Sequence, residues 1–174
     1  MCKLKFYEVD KNYINYLKQF DSKIPNIDYD KHDKFICGIL FNVNDINYYA
    51  PISSFNKQQK TNVLIKNKKK QVTSSIRLSF MFPVPTTCIK DFDISKEHGF
   101  YKYLLIEELD FCNKNSNKII NKALHIYDTV INGKDLIMQK NCCNFKALEK
   151  AYLQYINQTF EKDCESSQNI SFNL

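Results

Sequence analysis

The chain has 174 residues, 44% of them hydrophobic and 14% aromatic, enough to bury one core and to fold as a single domain rather than persist as a disordered tail. No run approaches the roughly 20 apolar residues of a membrane helix. The N-terminal Met1-Cys2-Lys3-Leu4-Lys5-Phe6-Tyr7 lacks the apolar stretch of a secretory signal, so a cytoplasmic protein with no membrane partner is expected. The net charge of +6 is unevenly placed: residues 1–90 hold 15 cations and 7 carboxylates, residues 91–174 hold 10 and 12.

In chain order, residues 3–9 alternate polar and apolar and predict a strand. Asp10 then caps a helix on which Tyr13, Ile14, Leu17 and Phe20 recur at helical spacing. Ser22 to Asp33 is polar and reads as a loop of a dozen residues, a length that tends to carry sites. Phe35–Phe41 and Ile46–Ala50 are apolar runs separated by Asn42-Val43-Asn44-Asp45, a composition that predicts a hairpin. Ile76–Val84 is a third β-rich run, reached through a lysine-rich connection. From Tyr101 to Ile131 the apolar period becomes helical, broken near Lys114–Asn117 and stopped by Gly133. A last helix begins at about Asn144, and the polar residues 158–174 read as an irregular tail outside a domain of residues 1–157. Strands first and helices later argue for an α+β domain around an antiparallel sheet.

Seven cysteines include no C-x-x-C pair, and the three histidines His32, His98 and His125 lie far from Cys142 and Cys143, so buried thiols are expected and no metal site. Glycines at 38, 99 and 133 make neither a P-loop nor a dinucleotide fingerprint. Asp28, Asp30 and Asp33 share a loop but lack the Gly and terminal Glu of a calcium loop.

Between Asp45 and Asp91 there is no carboxylate, yet the window carries Lys57, Lys60, Lys66, Lys68, Lys69, Lys70, Arg77 and Lys90. Lysine runs are commonly solvated surface, and 24 Lys against one Arg is what an A/T-rich coding bias yields, so the choice of cation is uninformative. Its placement is not: a segregated basic half is the footprint of a polyanion binder. At the head of the window, Tyr49-Ala50-Pro51-Ile52-Ser53-Ser54 ends in two hydroxyls. RNA cleavage without a bound metal uses the substrate's own 2′-hydroxyl, and it needs a base, groups to hold the phosphate oxygens and an acid for the leaving 5′-oxygen. Lys34, Ser53, Ser54 and Lys57 are of the right chemical types, and a hairpin brings Lys34 toward Ser53 and Ser54. Taken alone, a strand-end lysine and paired serines are more often surface and turn residues.

Six segments, in order, carry a resemblance: Tyr13–Asp21, the loop after Pro25-Asn26, Lys34-Phe35-Ile36-Cys37-Gly38, Tyr49–Ser54, Arg77–Pro83 and Cys143–Glu149. Together they resemble the ToxN/AbiQ family, the endoribonuclease toxins of type III toxin–antitoxin systems, from near residue 3 to near 157. The resemblance implies a strongly twisted antiparallel sheet with packed helices similar to the Kid/MazF toxins. It implies metal-independent cleavage to 2′,3′-cyclic phosphate and 5′-hydroxyl ends with no cofactor, acting on cellular or phage RNA. It further implies inhibition by a cognate antitoxin RNA of pseudoknotted repeats that the toxin processes, in a closed toxin–RNA assembly. By position it assigns catalysis to Lys34, Ser54 and Ser53, with Tyr29 or Tyr13 placing the nucleotide or aiding proton transfer. Lys57 departs from the family pattern because Phe55 and Asn56 precede it. Lys57, Lys60, Lys66, Lys68, Lys69, Lys70 and Arg77 are read as RNA-binding, with Tyr29, Tyr48, Tyr49 and Phe55 near enough in sequence to offer stacking faces. His32 has no role in this reading. A non-catalytic RNA-binding module is the rival; a DNA-binding regulator is weaker, because no helix carries clustered basic residues.

Overall fold

The computed structural model describes residues 3–25 and 37–170, the last ten as backbone only. It is an α+β arrangement in which every paired strand is antiparallel. The strands are β1 (Phe6–Val9), β2 (Gly38–Val43), β3 (Ile46–Ser53), β4 (Asn62–Lys66), β5 (Val72–Arg77), β6 (Phe82–Pro83) and β7 (Ile89–Asp91). Their order across the sheet is β4-β5-β3-β2-β1-β7, with β6 also on β3. The helices are α1 (Lys11–Lys18), α2 (Gly99–Lys114), α3 (Ser116–Ile131), α4 (Leu136–Asn141) and α5 (Phe145–Ile170).

Local chemistry sets most of these boundaries. Asp10 accepts from the Asn12 and Tyr13 amides and starts α1. Asn44 and Asp45 both adopt left-handed φ, 49° and 63°, which gives the tight turn that joins β2 to β3 with Val43 opposite Ile46. Asn115 separates α2 from α3, and the Asn144 side chain accepts the Ala147 amide at the head of α5. The polar composition after Gln158 does not end α5, which continues to Ile170.

Two departures from the sequence-based expectation have clear causes. The run Ile76–Val84 is not one strand. Ile76 pairs with Ile52 and Phe82 with Tyr49, so six steps along this segment answer three along β3. A single 3-10 turn at Leu78–Phe80 takes up the excess. The lysine-rich connection, in turn, is a hairpin. Val63 and Ile65 are buried on either side of half-buried Leu64, with Asn62 and Lys66 flanking them, and Asn67 closes the turn through its side chain to the Gln71 amide (2.9 Å) and its backbone amide to the Gln71 carbonyl (3.0 Å).

The helices cover the sheet through aromatic packing with polar pins. Tyr48 of β3, Tyr127 of α3 and Phe145 of α5 pack with ring centroids 5.7–6.1 Å apart. Glu149 Oε1 accepts from both the Tyr48 (2.8 Å) and Tyr127 (2.6 Å) hydroxyls. Burial, reinforced by the Glu149 charge, raises the Tyr127 phenol to about 12 and holds Tyr48 protonated as well.

Gly38 is the residue through which β2 passes β3. It pairs with Pro51, and a Cβ there would overlap the Ala50 carbonyl oxygen and the Tyr49 ring. Gly38→Ala is expected to destabilise the fold by about 1–3 kcal/mol. A denaturant midpoint unchanged from the parent protein would contradict this packing.

Candidate active site and RNA-facing surface

The end of β3 is held from both sides. Ser53 lies opposite Ser75 and Ile52 opposite Ile76 on β5, while on the other flank the Ile52 amide donates to the Cys37 carbonyl at 3.0 Å. Ser53 is buried and its Oγ accepts the Phe55 amide at 3.3 Å; Ser54 is exposed. The chain therefore enters β2 beside the point where β3 ends, as expected of the hairpin. Lys34, Tyr29 and His32, with Asp28, Asp30 and Asp33, lie outside the described residues. Cys37 is three residues beyond Lys34, a span of at most ~11 Å of extended chain.

Cys37, Ile52, Ser53 and Ser54 line one side of a cleft of about 110 Å³, whose other side is Thr73 and Ser74 of β5 and Tyr101, Leu104, Leu105 and Glu108 of α2. Glu108 was not singled out from sequence. Only 4% exposed, it accepts the Ser74 hydroxyl at 2.6 Å and the Thr73 hydroxyl at 2.8 Å, both on Oε1. Desolvation raises its carboxyl above the ordinary value, against the two hydroxyl bonds, which lower it. Leu105, Glu108 and Cys112 are the buried positions of α2, so the only trace of it in the sequence is its three- and four-residue spacing from two apolar residues.

Tyr13 does not join this group. It is fully buried, its hydroxyl donates to the Pro83 carbonyl at 2.8 Å, and its ring meets Tyr155 edge-on at 4.9 Å. Its place is in the core between α1, β6 and α5, and burial keeps the phenol protonated. Tyr48 is likewise fully buried and Tyr49 nearly so, which removes both as stacking faces for a base.

The loop after Ser54 is built rather than loose. Asn62, fully buried, donates to the Lys57 carbonyl (2.9 Å) and accepts from the Gln59 amide (2.9 Å) and the Gln58 side chain (3.0 Å). The Ser75 hydroxyl donates to the Phe55 carbonyl at 2.6 Å. Phe55 then lies over Arg77, whose guanidinium carbon is 4.4 Å from that ring centroid and 4.9 Å from that of Phe80. Lys57 and Lys60 are exposed on this loop, and Lys66, Lys68, Lys69 and Lys70 are exposed at the tip of the β4–β5 ribbon. Among them Lys60 has an ion pair, at 3.8 Å with Asp135, and a pair so exposed contributes little. Five cysteines, Cys37, Cys88, Cys112, Cys142 and Cys143, are buried and unpaired.

A sequence model of the toxin ToxN of type III toxin–antitoxin systems matches residues 5–153. The chain belongs to the ToxN toxin family. The endoribonuclease ToxN of Pectobacterium atrosepticum is 30% identical over 178 residues, which cover 95% of this chain and 98% of that one. Among solved structures, a chain from a type III system whose toxin is selectively inhibited by a non-coding RNA pseudoknot superposes with a TM-score of 0.80 at 24% identity. That match covers 88% of this chain and 98% of that one. Another, from a bacterial antiviral system regulated by a processed non-coding RNA, gives 0.73 at 27% identity, covering 85% and 96%.

The raised Glu108 carboxyl fixes a sign. A carboxyl whose folded pKa exceeds its unfolded value adds stability below the unfolded pKa and loses it as pH rises through the folded one. Glu108→Gln keeps an acceptor for Thr73 and Ser74 without the charge. Its stability relative to the parent protein is expected to improve as pH rises from about 4 to about 7. A difference in unfolding free energy that stays flat across that range would contradict the buried carboxyl.

Proposed function

We propose that this protein is an endoribonuclease toxin that cuts single-stranded RNA through the substrate's 2′-hydroxyl, with its site at the end of β3. The observation that carries the reading is the meeting of Ser53 and Ser54 with the entry to β2, beside a basic ribbon in the same sheet and in a chain of the ToxN family. In the proposed step the 2′-oxygen loses its proton and attacks the adjacent phosphorus, the bond from phosphorus to the 5′-oxygen breaks, and that oxygen takes up a proton. The products are a 2′,3′-cyclic phosphate and a 5′-hydroxyl, and the chemistry calls for no cofactor or metal.

In this reading Ser54 and Lys34 contact the scissile phosphate and its 2′-hydroxyl, Ser53 fixes the loop through the Phe55 amide, and Tyr29 places the nucleotide. Tyr13, with its hydroxyl committed to Pro83, contributes to the scaffold. Lys57 and the ribbon lysines meet RNA phosphates. The inhibitor is a cognate antitoxin RNA of pseudoknotted repeats, bound in a closed toxin–RNA assembly in the cytoplasm. Cellular or phage RNA is the substrate, and phage defence or plasmid maintenance is the setting. Residues 1–157 act as one catalytic unit, with a sheet of the Kid/MazF kind.

The test is cleavage of a mixed single-stranded RNA by RNA-free protein in EDTA. Discrete cuts with cyclic phosphate ends are expected, slowed by about 100-fold or more in Ser54→Ala and in Lys34→Ala. Tight binding with no cleavage by the parent protein would instead make it an RNA-binding module. Full activity in both variants would remove the assigned site.

Replacing Lys66, Lys68, Lys69 and Lys70 together by alanine is expected to weaken RNA binding across sequences. It should also flatten the dependence of log affinity on log salt by about 0.7 for each phosphate that the variant no longer neutralises. An unchanged slope would mean that the ribbon does not touch the backbone of the RNA.

A further inference from the structure

A second and larger cavity, about 450 Å³, lies where the β4–β5 ribbon meets α4, and Arg77 and Asp135 both line it. Its volume falls in the range of small-ligand sites. The Arg77 guanidinium packs against two rings, those of Phe55 and Phe80, which favour contact through its flat face and leave the in-plane N–H groups to a ligand. Among the described residues Nε is sealed without a partner, and the group makes one hydrogen bond, a long one, 3.4 Å from Nη2 to Gln59 Oε1. Among the described residues no carboxylate pairs with this half-buried cation, whose charge burial disfavours. Two aromatic rings thus hold a planar fork of donors with most of its capacity unspent.

Two further charged groups line the cavity, Asp135 and Lys60, and they face each other. Asp135 uses Oδ1 to cap α4 through the Met138 amide at 2.9 Å, and Oδ2 has an exposed lysine, Lys60, at 3.8 Å. Phe80, Ile137 and Met138 supply apolar walls. A phosphate would satisfy Arg77, but the second cation, Lys60, already faces Asp135, whose carboxylate disfavours another anion, and the apolar walls add nothing to a phosphate. A flat ligand with two acceptors on one edge, donors on another and apolar faces satisfies all three. Guanine is the base with that pattern: O6 and N7 for the guanidinium fork, and N1–H and the 2-amino group for a carboxylate. Adenine puts a donor beside N7, where the fork needs an acceptor.

We propose that this cavity is a guanine-binding subsite for a single-stranded RNA. The subsite rests on the RNA-directed reading above and adds a base preference to it. Phe55 connects the two places, since its amide is held by Ser53 and its ring covers Arg77.

The experiment measures binding of 2′-O-methyl pyrimidine decamers, which the proposed chemistry cannot cut, with no guanine or with a single guanine at each position in turn. For the parent protein one register of guanine is expected to tighten binding by about tenfold, with adenine there giving no gain. The gain should vanish in Arg77→Lys, which keeps the charge and loses the fork. It should vanish also in Ile137→Trp, which fills the cavity from a residue 75% exposed and so leaves the core intact even if Arg77→Lys unfolds. Affinity blind to guanine in the parent protein, or a guanine gain that survives in Ile137→Trp, overturns the subsite. A guanine gain alongside an inability to cut unmodified RNA leaves the subsite standing and removes the endoribonuclease reading instead.

Discussion

Strand β3 is the member on which the rest of the structure depends, because it is hydrogen-bonded on both flanks. β2 pairs with it from Ile46 to Pro51, and on the other flank β6 takes Tyr48 and Tyr49 while β5 takes Ile52 and Ser53. A strand paired on one side can fray at its end; one paired on both delivers its last residues to a fixed place. Those last residues are Ser53 and, one step on, Ser54. Gly38 permits the close approach of β2, and the 3-10 turn at Leu78–Phe80 lets one segment serve as both β5 and β6. The position of two hydroxyls follows from sheet geometry more than from anything at the site itself.

The second constraint is the set of buried polar groups that fasten the helices and loops to this strand. Each side chain concerned accepts or donates more than once: Glu149 for Tyr48 and Tyr127, Glu108 for Thr73 and Ser74, Asn62 for the loop that carries Lys57. A buried polar atom without a partner costs about 1–3 kcal/mol, so such sites are strict about what fits them. These three clamps set the angle between helix and sheet and the path of the chain after Ser54. Arg77 is the exception in the set, a half-buried cation held by rings rather than by carboxylates. That difference is why its cavity reads as a place for a ligand.

Much of this was legible in the sequence wherever the signal is local. Asp10 as a cap, the turn Asn42–Asp45, the break at Asn115 and the start of α5 after Asn144 each rest on a few neighbouring residues. The meeting of the β2 entry with Ser53 and Ser54 followed from the hairpin, and six ordered segments placed the family. What was not legible depends on distant partners. The β4–β5 hairpin was hidden because lysines dominate the composition around Val63 and Ile65, and the 3-10 turn depends on the register against β3. Tyr13 was read as a site residue although its spacing with Ile14 and Leu17 already marked a buried helix face. Glu108 went unread because a carboxylate in a helix is ordinarily solvated, and only the hydroxyls of β5 show what holds it. Phe55 and Phe80 lie 22 and 3 residues on in opposite directions along the chain from Arg77, a clamp that no local pattern announces.

The central claim is that the end of β3 holds the scissile phosphate. It is tested most directly by a structure of the protein with an RNA strand carrying a single 2′-deoxy nucleotide at the mapped cleavage position. The account predicts that the phosphate following that nucleotide lies within about 3.2 Å of Ser54 Oγ and of Lys34 Nζ. A strand whose cleavage-site phosphate is held elsewhere, with Ser54 facing solvent, would contradict it.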